Sequence, residues 1–379
     1  MKKSVARASS PASSRGVPPP GRKPGETPGE LAGGGRLRYL SRRRLPLLFR
    51  HGTHLYRIVA SVTSVPLAKP TRALLGSNKS EIQTSMRLKR STSLNGPTLI
   101  LILAALGCAQ AENRIPEEYK TGGFFIGCQA YTFKNYTLFE AIEKTAQSGG
   151  RVIELSTVQK LSKEQPDVTF DHNASAETLE KAKNKLAEFK LRAVNYGVVN
   201  IPKDETQARK LFEFAKTMGL RAITTESVDS LDTIEKLVKE YDIMVAYHDH
   251  PRKPNDPSYR LWDPNYVLSL VKDRDKRIGA CADTGHWVRS NLKPVDCLRI
   301  LKGRIISSHL KDLNHMGPGA TDIPYGIGVS DVPGILEELK KQGFAGNISI
   351  EYESNWDHSV PEVSQCIGFV RGYGAARKW

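Results

Sequence analysis

Paired cysteines, a long apolar run and acidic residues in the first third are what this chain lacks. Its five cysteines, Cys108, Cys128, Cys281, Cys297 and Cys366, are widely spaced and form no Cys-x-x-Cys pair. Cys281 falls within an expected strand and reads as a small buried residue rather than a bridge or ligand, and no structural zinc site is suggested. No apolar stretch reaches the roughly 18 residues of a bilayer crossing, so no stable membrane span is expected. Gly326-Ile327-Gly328 lacks a third glycine and does not directly follow a strand, which leaves it weak as a dinucleotide signal. Residues 1–111 hold 19 Lys and Arg against 3 Asp and Glu, whereas residues 112–379 hold 37 of each. The net charge of +16 therefore belongs to the head alone. The neutral remainder lacks the basic field that nucleic-acid binding requires.

The head divides in two. Residues 1–85 are rich in Arg, Pro, Gly and Ser without a sustained apolar period, the composition of a disordered tail or of sequence upstream of the true start. Ser41-Arg42-Arg43 resembles a twin-arginine signal, but Arg50, His51, His54 and Arg57 interrupt the apolar run that should follow. Residues 86–111 form a cleaner pattern. Met86-Arg87-Leu88-Lys89-Arg90 is basic, residues 97–107 are apolar but too short to span, and Ala109-Gln110-Ala111 offers small residues for cleavage. The expectation is a secretory signal, export to the periplasm or outside, and a mature chain starting at Glu112. Cys108 offers a weaker lipoprotein reading.

From residue 122 to 375, apolar β-forming runs alternate with helical periods. The runs are 124–131, 152–155, 192–198, 222–226, 244–250, 278–283, 305–309 and 347–351. The helical periods are 138–147, 174–189, 205–218, 233–241, 264–271, 294–301, 332–341 and 361–373, with Ser230 or Asp232 expected to cap the fourth. The stretch 156–172 reads as a long polar loop. Eight strand–helix pairs in about 250 residues predict an α/β fold, a (β/α)8 TIM barrel. An open doubly wound sheet is the alternative.

Four of these runs share one design. Residues 244–250 end in His248 and His250, and the next three end in Asp283, His309 and Glu351. Two places before His248, Asp283, His309 and Glu351 stand Ala246, Cys281, Ser307 and Ser349, small residues on the same strand face. In such barrels, chemistry gathers at the C-terminal strand ends. Those ends supply Glu154, Glu226, His248 with His250, Asp283 with His286, His309 with Lys311, and Glu351 with Glu353. Imidazole with carboxylate suits Mn, Co, Zn or Fe rather than calcium. The expected ligands of a divalent metal are His248, Asp283, His309 and Glu351, with Glu226 as a further candidate. Glu353 and His250 read as supports or substrate contacts, Glu154 as a substrate contact. Trp262, Trp287 and Trp356 are candidates to wall a sugar site.

The order of these motifs resembles the sugar phosphate isomerase/epimerase family of the xylose isomerase-like barrel superfamily. The resemblance is carried by residues 240–250 (EYDIMVAYHDH), 282–287 (ADTGHW), 308–312 (SHLKD) and 348–353 (ISIEYE). It implies that strands five to eight donate Glu, Asp, His and Glu to one divalent ion. Asp283, His309 and Glu351 match, whereas His248 stands where the family has Glu, and Glu226 is the residue able to restore a carboxylate. The implied activity is metal-dependent isomerisation or epimerisation of a small carbohydrate through an enediolate. Glu351 would serve as ligand and base, Glu226 or His286 as the opposing acid, and Lys311 would steady the oxyanion. A lyase or hydrolase on keto-sugars or glycosides, and an exported carbohydrate-binding barrel without turnover, are the alternatives. A homo-oligomer is compatible with either.

Overall fold

The computed structural model describes residues 114–157 and 159–379. The expected tail and signal segment lie outside the described residues. Eight strands follow one another as β1 Phe124–Gln129, β2 Val152–Leu155, β3 Arg192–Tyr196, β4 Ala222–Thr225, β5 Met244–His248, β6 Ile278–Asp283, β7 Ile305–Leu310 and β8 Asn347–Ile350. Each pairs in parallel with its neighbours in chain order. Strand β8 pairs with β1 and closes the barrel.

Parallel strands covered on both faces must be apolar or compensated throughout. Every residue of β1, β2, β4, β6 and β8 is buried. The helices are α1 Leu138–Gln147, α2 Ala176–Glu188, α3 Glu205–Thr217, α4 Leu231–Tyr241, α5 Pro264–Val271, α6 Thr284–Arg289, α7 Pro294–Ile300, α8 Val332–Lys341 and α9 Val360–Arg377. Each longer helix lays one apolar stripe on the barrel. In α4 the stripe is Ile234, Leu237 and Val238, spaced three and four apart. Burying each contributes about 1.5–3 kcal/mol. Local signals set the helix starts: Thr137 and Glu140 form a reciprocal capping box on α1, and Asp204 caps α3. Gly127 has no substitute, since a Cβ there would lie 1.6 Å from the carbonyl oxygen of Val152. Among the described residues, no helix is long and apolar enough to cross a membrane.

The TIM barrel expected from the sequence is the fold observed, with α1, α5 and α8 at the expected residues. Four differences are local. The segment 156–172 contains a hairpin, Lys160–Ser162 against Gln165–Thr169, where a loop was expected. Strand β5 ends at His248 rather than His250, because Asp249 turns away and accepts the backbone N–H of Asp283 at 2.9 Å. Ser230 precedes α4 without capping it, since its hydroxyl donates to the Ile201 carbonyl at 2.6 Å. Helix α6 has no counterpart among the predicted elements. The four cysteines within the described residues are free and buried.

Candidate metal centre

Strand register brings the predicted residues together. His309 on β7 sits beside Asp283 on β6 and Ser349 on β8, and His248 on β5 sits beside Cys281. At this mouth Asp283 Oδ1 caps α6 by accepting the His286 N–H at 2.8 Å, which leaves Oδ2 facing the centre. His248 Nε2, His286 Nε2 and His309 Nδ1 lie 3.6, 3.7 and 3.8 Å from that oxygen. All three nitrogens are buried without a hydrogen-bond partner. These separations exceed hydrogen-bond reach but lie within the spread of donor atoms around one cation. The ligating atoms of His248, Asp283, His286 and Glu351 all fall within 4.8 Å of one another. His309 Nδ1 lies 3.4 Å from Glu351 Oε2.

The opposite nitrogen of each ring decides what it can do. His309 Nε2 lies 3.0 Å from Glu154 Oε2, and a carboxylate can only accept, so the neutral ring keeps its proton on Nε2 and offers the Nδ1 lone pair. His248 Nδ1 lies 3.0 Å from Glu226 Oε1, which frees Nε2 in the same way. This is the carboxylate–histidine pairing that orients metal ligands. His286 is wired in reverse. Its Nδ1 lies 3.1 Å from Arg289 Nη1, and a guanidinium can only donate. The neutral ring therefore carries its proton on Nε2, toward the centre. His286 turns a proton rather than a lone pair toward the centre.

Charge balance points the same way. Around the mouth stand Glu154, Glu226, Asp283, Glu351, Glu353 and Asp322 against two permanent cations, Lys311 and Arg289. Lys311, fully buried, reaches Asp283 and Glu351 at 2.8 Å and Glu353 at 3.0 Å. Burial opposes the ionised forms of Asp283 and Glu351, but His286, Lys311 and His248 hold Asp283 well below the usual carboxylate range, and Lys311 and His309 do so for Glu351. Burial likewise opposes charge on His248 and His309. The carboxylates of Asp283 and Glu226 outweigh it for His248, and Cys281, Glu154 and Glu351 for His309, so both titrate well above an ordinary histidine. His286 is driven well below, by burial and the cations around it, against the pull of Asp283. The donor set, its unpartnered atoms and its surplus negative charge fit a divalent cation held by His248, Asp283, His309 and Glu351.

The remaining predicted residues separate by position. Glu226 stands one layer out. Its Oε1 takes bonds from His248 and His250, and despite burial those bonds pull its carboxyl down to about 2, so it is ionised at neutral pH and has no proton to give. Glu226, His248 and His250 also form a second cluster of ligating atoms. Glu154, expected against substrate, is fully buried beneath His309, with Thr224 at 2.6 Å and Ser349 at 2.9 Å also bound to it. His250 and Glu353 line a cavity of about 170 Å³ beside the centre, together with His248, Glu351, Gln129 and Tyr131. Trp287 does not: at 1% exposure it belongs to the core. Trp356 stands edge-on to Tyr131, and Trp262 lies under the Arg252 guanidinium. The sequence reading missed Arg289, three residues after His286 on the same face of α6, and the cavity wall from β1 and β2.

The family model of the xylose isomerase-like TIM barrel matches residues 142–371. The chain belongs to that family. The match runs from within α1 to within α9 and takes in every site residue from Glu154 to Glu353. Among solved structures of this barrel, an uncharacterized protein from Parabacteroides distasonis is 30% identical, over 66% of this chain and 98% of that one, with a TM-score of 0.53. A D-tagatose 3-epimerase-like protein is 17% identical over 67% of this chain and 98% of that one, TM-score 0.54. An L-ribulose 3-epimerase is 15% identical over 67% and 96%, TM-score 0.50. At these identities the last two share the fold. No curated protein matches the chain.

Proposed function

We propose that this member of the xylose isomerase-like family is a divalent-metal-dependent enzyme that moves a proton next to the carbonyl of a small carbohydrate, in the manner of a sugar isomerase or epimerase. One observation carries the reading: His248 Nε2 and His309 Nδ1 are buried, without a hydrogen-bond partner and turned toward Asp283 Oδ2, while both rings are braced from behind by carboxylates. Glu351 completes the set. A bound divalent cation would supply the positive charge that stabilises the enediolate oxygens of the substrate.

The chain's own groups do the rest. Glu351 reaches both the centre and the cavity, and Lys311 at 2.8 Å keeps it ionised and ready to take the proton from carbon. His286, held by Arg289 with its proton on Nε2, is the group able to donate into the centre. Lys311 is spent on three carboxylates, so its part is to hold the cluster together rather than to face an oxyanion. With His248 on β5, the base facing the ligated centre is Glu351 alone. A single base that takes and returns the proton favours aldose–ketose isomerisation over a two-base epimerisation.

Exchange of the substrate's α-hydrogen with deuterated water tests this. Exchange should require an added divalent ion and should fall by at least about 10²-fold in Glu351→Gln. Full exchange in that variant, or in metal-free protein, would remove the proposal.

A further inference from the structure

We infer that this site selects uncharged sugars and rejects their phosphate esters. The inference rests on the proposed sugar chemistry and adds the charge of the substrate. Three observations carry it.

First, among the described residues no lysine or arginine lines the cavity; its polar groups include the side chains of Ser156, Thr157, Gln129 and Tyr131, the rings of His248 and His250 and the carboxylates of Glu351 and Glu353. Second, the cations nearby are committed. Lys311 is fully enclosed by Asp283, Glu351 and Glu353, and Arg289 is divided among Glu353, Asp322 and the Ala320 carbonyl. Beside the cavity wall, the Lys134 ammonium lies 3.6 Å from the centre of the Trp356 ring and donates to the Tyr131 hydroxyl at 3.4 Å, so it is the one cation of these that no carboxylate holds. Even with a divalent ion bound, the mouth keeps a surplus of carboxylates, and a phosphate dianion would enter against it.

Third, of the two loops that hold phosphate in many such barrels, the one after β7 is already filled. Barrels of this type frequently hold phosphate on backbone N–H groups in the loops after strands seven and eight. Here the glycine-bearing loop after β7 points three N–H groups inward, those of Gly326, Gly328 and Ser330. Their acceptor is the carboxylate of Asp312, at 2.8, 3.0 and 3.1 Å. A Cβ on Gly328 would lie 2.2 Å from the Asp312 carboxylate, so the cradle is closed down onto that side chain. An internal anion thus takes the place of an external one. The next N-terminus, that of α8, is likewise occupied by the carboxylate of Asp331, which accepts the Gly334 N–H at 3.1 Å.

The test is calorimetric titration of the full chain loaded with Mn²⁺, using free ketopentoses and ketohexoses paired with their terminal phosphate esters. The free sugars should bind, the esters about 100-fold more weakly, and inorganic phosphate should not compete. Thr157→Lys, which adds one cation to the cavity wall, should raise the ratio of ester affinity to free-sugar affinity about tenfold. Esters binding as tightly as free sugars, phosphate competing, or no free sugar binding would each overturn the inference. Proton exchange separates it from the wider proposal. Tight ester binding with Glu351-dependent exchange would sink the charge rule alone, and preferred free-sugar binding without exchange would sink the isomerase alone.

Discussion

Strands β5 to β8 and strands β1 to β4 build the two halves of one barrel mouth, yet their ionisable groups do different work. The first half presents His248, Asp283, His309 and Glu351 to a common centre. The second half offers Glu154 from β2 and Glu226 just after β4, and neither enters the cluster around Asp283. Glu154 crosses the barrel interior to hold His309, and Glu226 holds His248. The same residue type faces the centre in one half and braces a ring in the other, according to what lies between it and the centre. His286 makes the contrast finer. It lies as close to Asp283 as His248 and His309 do, but an arginine rather than a carboxylate stands behind it.

The comparison breaks most directly at its hub. Asp283→Asn should lower divalent-metal affinity and α-hydrogen exchange by at least about 10³-fold, read by elemental analysis and proton NMR. His286→Asn should cut exchange by about 10²–10⁴-fold while the protein keeps its metal; metal lost along with activity would make His286 a ligand after all. Glu154→Gln and Glu226→Gln should each weaken metal binding by about 10–100-fold without changing which ion is preferred, and metal titration would show it. A smaller effect concerns pH. In metal-free protein the pKa values of His248 and His309 are raised above 6.5, so the stability they contribute is fully present below that pH and is lost as pH rises through the higher folded values. Bound metal needs the same nitrogens deprotonated, so thermal melts of loaded protein should gain over metal-free protein as pH rises. Finally, Trp287→Phe should leave free-sugar affinity unchanged, because the ring is in the core, while costing about 1–3 kcal/mol of stability.

Much of this was legible in the residues themselves. Period-two runs ending in Asp283, His309 and Glu351 announced both the strands and the side that would carry chemistry, and the stripes of α1, α5 and α8 fixed their bounds. The braces were harder to read. Glu154 looked like any strand-end carboxylate, and nothing near it in the chain mentions His309, 155 positions later. Arg289 was hidden differently: α6 is six residues long, too short to give a periodic signal. Trp287, beside His286 in sequence, faces the core because neighbours on a helix point about 100° apart.

By itself the sequence determined the alternation of strands and helices, the barrel, and which residue types would gather at its mouth, because strand and helix periods are local properties of the chain. Tertiary structure alone decided which imidazole turns a lone pair to the centre and which a proton. That choice rests on the hydrogen bond at the far nitrogen of each ring, and for His248 and His309 the partner comes from another strand end.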